Sequence, residues 1–346
     1  MRVIFLGTPE FAIPALERLI NWPKCQVVGV ITQVDKPSGR GHKLQPPPVK
    51  VLAESHGIPV FQPLKLSKSP EIIDDLQALK PDVLVTAAFG QILRKNILEL
   101  APLGVINVHA SLLPKYRGAA PINWALVNGE TTTGITTMFS DPGIDTGTML
   151  LKRSIDIDSD INAIELAHKL SQIGGELLIE TLDALERGTL KPIIQNHELA
   201  SYAPMLKKEM AIIDWHWEAC KIHNHIRGMQ PWPGAVTTYD GITLKLLRSK
   251  IPEQSPVSAS ENAQNGMPRS KLVPGSVMVN RSGVFVSCGA SGEQLLELLE
   301  VQPPNKGRMK AHDWANGLHL NNTSGQLRFQ PNVNESLEIN QPVGER

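Results

Sequence analysis

Cysteine is scarce in this chain, and what there is does not pair. The three cysteines among 346 residues, Cys25, Cys220 and Cys288, form no C-x-x-C and no metal-ligand spacing. That excludes a disulfide scaffold and a zinc ribbon, and it fits a reducing compartment. Long hydrophobic runs are missing as well. The opening "MRVIFLGTPEF" has five apolar residues before Gly7, too few for a signal peptide, and no run approaches the roughly 18 that span a bilayer. The expected setting is the cytoplasm, with no membrane partner. Charge of one sign is lacking too: Lys and Arg total 34 and Asp and Glu total 34. No global field therefore draws in a nucleic acid, and any such contact must come from local patches. No internal repeat or interface pattern stands out, so a monomer is the default expectation.

What is present describes a globular protein, with 41% hydrophobic and 20% charged residues. The first half alternates two textures. "RVIFL", "VVGVIT", "DVLVTAA", "GVINVH" and "GITTMF" are short runs rich in β-branched residues, as expected of strands buried on both faces. Between them, "EFAIPALERLI" and "EIIDDLQALK" carry apolar residues at helical spacing. Ile164, Ala167, Leu170, Leu177, Leu178, Leu182 and Leu185 trace one long amphipathic helix over 162–187. This alternation implies an α/β domain with a mostly parallel, doubly wound sheet. "KPIIQNHELASYAPML" then reads as an extended linker. Beyond it, "GAVTTY", "ITLKLLRSKI", "GSVMVN", "GVFVSC" and "LLELLEVQ" suggest a small β-barrel or sandwich. The stretch 253–271 reads as a polar insertion, and the residues after 321 as a loosely ordered polar tail.

Several motifs can carry chemistry. Gly7 stands at a strand-to-helix turn, but Thr8, Pro9, Glu10 and Phe11 follow it. The further glycines of a dinucleotide fingerprint are absent, which disfavours a nicotinamide enzyme. Asn107 and His109 are two apart on a strand, so both side chains point to one face. They stand where ligands bind in doubly wound sheets, beyond the carboxyl end of the strand. An amide and an imidazole there can donate to a developing oxyanion and shuttle a proton. "DPGIDTG" (141–147) follows the next strand. Turn chemistry accounts for Asp141, Pro142 and Gly143, but not for a second carboxylate at Asp145, which could orient or charge His109. No cysteine or G-x-S-x-G serine lies near, so the reaction would be direct attack by a substrate nucleophile.

Four further segments have competing explanations. Lys36, Arg40, His42, Lys43 and Lys50 share one stretch with Asp35 alone as acid, and Gly39 and Gly41 flank Arg40. It is either a solvated basic loop or a flexible arm for a phosphate backbone. "NKGRMK" (305–310) is a second, weaker basic run. "AAFGQIL" offers Phe89 beside Gly90, read first as core packing and alternatively as a seat for a flat heterocycle. Trp215, Trp217 and Trp232 would anchor the second domain's core, and His216, His223 and His225 lack the spacing of a metal site.

"INVHASLLPKYRGAAPINW" with "DPGIDTG" resembles the folate-dependent formyltransferases. "KPSGRGHKL", "AAFGQIL", "YAPMLKKE" and "IRGMQPWPGA", in that order, resemble the branch of that family acting on initiator methionyl-tRNA, over roughly 1–320. The resemblance implies a Rossmann-like catalytic domain (1–189), a linker (190–205) and an OB-like tRNA-binding barrel (206–320), with the tail 321–346 having no counterpart. It makes Asn107, His109 and Asp145 the catalytic set. It places Ser111, Leu112, Leu113 and Pro114 at the folate site, with Phe89, Gly90, Ile92 and Leu93 near the pterin. Lys36, Arg40, His42 and Lys43 would meet the acceptor end of the tRNA. The implied formyl donor is 10-formyltetrahydrofolate and no metal is implied. The alternatives are formyl transfer to an amino-sugar nucleotide, and hydrolysis of formyltetrahydrofolate; the hydrolase would be expected to carry an extra N-terminal domain, whereas the catalytic pattern here begins at Met1.

Overall fold

Strands that read as unbroken apolar runs need cover on both faces, and the first half of the chain provides it. The structure, a computed structural model, describes residues 1–38, 43–253, 272–318 and 324–330. It divides into two compact units, the first comprising 1–125, 130–158 and 164–205 and the second 126–129, 159–163 and 206 onward.

In the first unit the strands are β1 (Arg2–Gly7), β2 (Gln26–Ile31), β3 (Lys36–Ser38), β4 (Lys43–Gln45), β5 (Val60–Phe61), β6 (Val83–Ala87), β7 (Val105–His109), β8 (Arg117–Gly118), β9 (Thr132–Phe139), β10 (Met149–Asp156) and β11 (Tyr202–Ala203). Its helices are α1 (Ile13–Asn21), α2 (Pro48–Ser55), α3 (Pro70–Ala78), α4 (Lys95–Leu98), α5 (Pro121–Val127), whose last two residues fall in the second unit, and α6 (Ala163–Glu186), the 24-residue helix traced by the leucine pattern. Seven strands form the main sheet in the order β10-β9-β7-β6-β1-β2-β5. From β5 through β7 they are parallel, and the chain reverses its direction of winding between β1 and β6, as a doubly wound sheet requires. β6 is buried at every position, which is why its sequence shows no alternation.

Two features depart from the sequence expectation. β9 runs antiparallel to β7, and β10 antiparallel to β9. The turn after β9 therefore begins beside Ile106, the register partner of Phe139, at the opposite end of β7 from His109. The segment expected as an extended linker is also folded. Ile193 pairs with Met149, and Tyr202–Ala203 runs parallel to Arg117–Gly118.

The second unit holds α7 (Ala219–Gly228), β12 (Ala235–Tyr239), β13 (Ile242–Lys250), β14 (Ser276–Asn280), β15 (Gly283–Cys288), β16 (Gln294–Gln302), β17 (Met309–Lys310), α8 (Ala311–Gly317) and β18 (Ser324–Arg328). The path β12-β13-β16-β15-β14-β18 is antiparallel throughout. A bridge between Thr238 and Gln330 joins its two edges, so the sheet closes into a barrel rather than a sandwich. Trp215 stacks on Phe329 at 5.4 Å inside it. The polar tail expected from 321 is thus corrected in part. β18 pairs with β14, and Leu327 and Phe329, two apart, both bury their side chains. Two inward apolar residues suffice to seat a strand that is otherwise polar. Residues 331–346 and nearly all of the 253–271 insertion lie outside the described residues.

Candidate active site

β7 positions the first two groups. Asn107 and His109, at i and i+2, project from one face, and the β9 residues opposite them are Met138 and Thr136. His109 is buried, 6% exposed. Its Nε2 lies 3.0 Å from the Tyr116 carbonyl oxygen, which can only accept, so Nε2 carries the proton. That leaves Nδ1 as the nitrogen able to gain or release one.

The third group arrives from the turn after β9. Asp141 serves the turn itself, its Oδ1 accepting from the Gly143 N–H at 3.1 Å and the Thr146 hydroxyl at 2.6 Å. Asp145 does something else. Its Oδ1 accepts from Asn107 Nδ2 at 3.2 Å and stands 3.5 Å from His109 Nδ1, while its Oδ2 accepts from the Gly118 N–H at 2.8 Å. Asp145 has φ +52°, a left-handed conformation that a non-glycine residue adopts only when its surroundings hold it there. Because β9 is antiparallel, this carboxylate comes from a turn that begins beside Ile106 and still reaches Asn107 and His109.

The surroundings that hold it were not visible in the sequence. Gln195, from the expected linker, donates through Nε2 to the Asp145 and Gly147 carbonyls, each at 2.8 Å. Gly118 has φ +118°, and a Cβ there would meet the Ala203 carbonyl oxygen at 2.8 Å. Only glycine lets that N–H face Asp145 while β11 packs behind it. The Tyr116 carbonyl and Gly118 N–H are backbone groups, which carry no residue signature. Gln195 sits in a stretch that read only as an extended linker.

The expected folate residues divide into buried and accessible. Ser111 is buried and its hydroxyl donates to the Lys115 carbonyl at 2.6 Å. Thr136 on β9 braces the strip, donating to Ser111 O at 2.7 Å and accepting from Leu113 N at 3.1 Å. Leu113 is buried against Met138 and Met149 and its carbonyl accepts from Lys152 Nζ, while Leu112 and Pro114 are half-buried. Burial lowers the Lys152 pKa. Phe89 turns into the core with Ile4, Leu6 and Leu84, and Leu93 packs at the edge of that cluster. Gly90 has φ +79°, and Ile92 is 72% exposed.

Lys36 and Lys43 lie in the two strands of the β3–β4 hairpin, whose ladder pairs Ser38 with Lys43. Arg40 and His42 lie outside the described residues. The hairpin base is tied to the Phe89 turn through Gln33, which accepts from Lys36 Nζ at 2.6 Å and donates to Phe89 O at 3.2 Å. Beside it, hydrogen bonds from Gln62 and Lys50 hold the Asp35 carboxyl below its usual pKa. Among the described residues no group of three or more His, Cys, Asp or Glu side chains could hold a metal ion, and no helix is long and apolar enough to cross a membrane.

Residues 1–182 match the family described as Formyl transferase, and residues 205–319 match Formyl transferase, C-terminal domain. The methionyl-tRNA formyltransferase of Geobacter metallireducens is 49% identical over 321 residues, covering 92% of this chain and 96% of that protein. That of Trichlorobacter lovleyi is 49% identical over 316 residues, 91% of this chain and 94% of its own. Among solved structures, an N-formyltransferase from Helicobacter canadensis, in complex with folinic acid and dTDP-3-aminofucose, aligns with a TM-score of 0.61 at 18% identity. The alignment covers 86% of this chain and 98% of that one, and at such identity the likeness is one of fold.

Proposed function

The chain belongs to the formyl transferase family, and from that premise we propose that it moves the formyl group of 10-formyltetrahydrofolate to the free amino group of methionine carried on initiator tRNA. The observation that carries the catalytic assignment is the placement of one carboxylate oxygen, Asp145 Oδ1, 3.2 Å from Asn107 Nδ2 and 3.5 Å from His109 Nδ1. The amine nitrogen attacks the formyl carbon and forms the new C–N bond. An amide has two N–H groups, and Asp145 takes one of Asn107's, so the other is directed at the oxyanion, with the protonated form of His109 donating from Nδ1 as the second group. Asp145 orients both donors and accepts the proton released by the amine, directly or through water. Collapse breaks the bond from carbon to N10 of the folate, and that proton passes to N10, directly or through water, as tetrahydrofolate leaves.

The donor would lie along Ser111–Pro114 with its pterin near Phe89–Leu93; the exposed Ile92 and half-buried Leu112 and Pro114 supply apolar surface for a flat ring. Lys36, Arg40, His42 and Lys43 would contact the acceptor end of the tRNA, and the barrel unit would supply a second tRNA surface. We place the protein in the cytoplasm, acting as a monomer.

The test is an assay with purified protein, 10-formyltetrahydrofolate and methionine-charged tRNA, comparing initiator with elongator. Formylmethionyl-tRNA should form mainly on the initiator. Tetrahydrofolate accumulating without formylated tRNA would overturn the reading in favour of hydrolysis. Transfer to an amino-sugar nucleotide but not to tRNA would overturn it in favour of that acceptor.

A further inference from the structure

We propose that Gln195 is a positioning residue for this reaction, holding Asp145 in its left-handed backbone conformation so that Oδ1 stays between Asn107 and His109. The inference rests on the reading that Asp145 acts in the transfer.

Gln195 is 3% exposed, and its amide uses every hydrogen-bonding position it has. Oε1 accepts twice from Arg117, from Nε at 3.0 Å and Nη2 at 2.7 Å. Nε2 donates twice, to the carbonyl oxygens of Asp145 and Gly147. An amide offers two lone-pair sites and two protons, so the match is complete. The Arg117 side of this arrangement would be better served by an acid. Arg117 is 1% exposed, and a buried cation ordinarily meets a carboxylate. Here it meets a neutral amide and, at 3.2 Å, His197 Nδ1. A glutamate at 195 could satisfy the guanidinium and supply a counter-charge, but it would present no N–H to the two carbonyls. The amide is therefore chosen for its donor side, which points at the strained turn.

The segment carrying Gln195 does not depend on it for its place. Ile193 exchanges two backbone hydrogen bonds with Met149, at 2.8 and 2.9 Å, and Tyr202–Ala203 pairs with Arg117–Gly118. Gln195 thus works from a fixed frame onto a turn whose own geometry is unfavourable. Removing its two donors frees the Asp145 backbone to relax from φ +52°, which would carry the carboxylate away from its partners.

The test is Gln195→Glu, made alone and in an Asp145→Ala background, with kcat, both KM values and the melting temperature measured. We expect kcat to fall about tenfold to a hundredfold, the range a small misplacement of a reacting group produces. KM for folate and tRNA should stay within about twofold, and the melting temperature within about 3 °C, since Arg117 keeps a partner. In the Asp145→Ala background the same change should cost nothing further, because a residue acting through Asp145 has nothing left to position. Parent kcat in the single variant, or an equal fractional loss in both backgrounds, would overturn the proposal. Should Gln195→Glu not fold, Arg117→Met with Gln195→Met removes charge and donors together and is read by the same cycle. Asn107→Ala, assayed alongside, separates the two readings. If it is slow while Gln195→Glu runs at the parent rate, only the positioning role fails; if it too runs at the parent rate, the catalytic assignment fails first.

Discussion

The main sheet of the first unit and the barrel of the second each have seven strands, yet they differ in what gathers at their centre. In the first, His109, Ser111, Arg117, Thr136 and Gln195 are all buried within a few residues of one strand's carboxyl end or the loops over it. In the second, Leu244, Leu246, Val277, Val286, Leu296, Trp215, Trp314 and Phe329 fill the interior. Open parallel strands leave a crevice where loops converge and must be hydrogen-bonded to one another. A sheet closed on itself leaves only an interior to fill. The first arrangement suits the chemistry proposed for it, and the second is filled mainly by apolar packing.

That contrast can be broken at either end. The largest effect is expected in the barrel. Trp215 is 2% exposed, stacks on Phe329 and donates from Nε1 to Thr237 Oγ1 at 3.0 Å. Trp215→Ala should cost about 3–5 kcal/mol of stability, read from denaturant unfolding followed by circular dichroism. A cost under about 1 kcal/mol would mean the aromatic stack is not the barrel's anchor. Asn107→Ala should do the reverse. Losing one oxyanion donor lowers kcat about a hundredfold to a thousandfold, while the melting temperature and tRNA binding stay close to the parent. Lost tRNA affinity with kcat preserved would move Asn107 out of the chemistry.

A smaller effect should come from acid. Burial lowers the His225 pKa from its ordinary 6.5 to about 4, and burial shifts His223 the same way. Both lie on α7 of the second unit. A histidine held neutral in the folded state is protonated first in the unfolded chain, so its stability contribution is complete above about pH 6.5 and drains as pH falls toward 4. For His225 the loss is at most roughly 3 kcal/mol. Four of the six tryptophans, Trp215, Trp217, Trp232 and Trp314, belong to this unit, so their fluorescence reports it. A denaturation midpoint unchanged between pH 7 and 5 would show that these histidines titrate normally, and His225→Phe should flatten the dependence.

Some of this was legible beforehand. Continuous β-branched runs marked the buried strands because burial on both faces removes alternation. Asn107 and His109 were legible as a pair because period two puts them on one face. Phe89 read first as core, and in the core it lies. The direction of β9 was not legible, because "GITTMF" is equally good in a parallel or antiparallel ladder and only its partners decide. Nor was β18, whose two apolar residues sit in polar surroundings and make sense only once β14 is there to pair with them.

The sequence by itself determined most of the strands and helices, since periodicity and propensity are local, and which residues have the chemistry for acyl transfer, since functional groups are named by residue type. Only the tertiary structure decided how they meet. Asp145 is drawn to Asn107 and His109 by an antiparallel neighbour, a backbone N–H at Gly118 and an amide at Gln195, 50 residues further along the chain. Those contacts join positions far apart in sequence, and one of the groups that make them, the Gly118 N–H, belongs to the backbone that every residue shares. Their effect exists only when the fold brings them to hydrogen-bond distance.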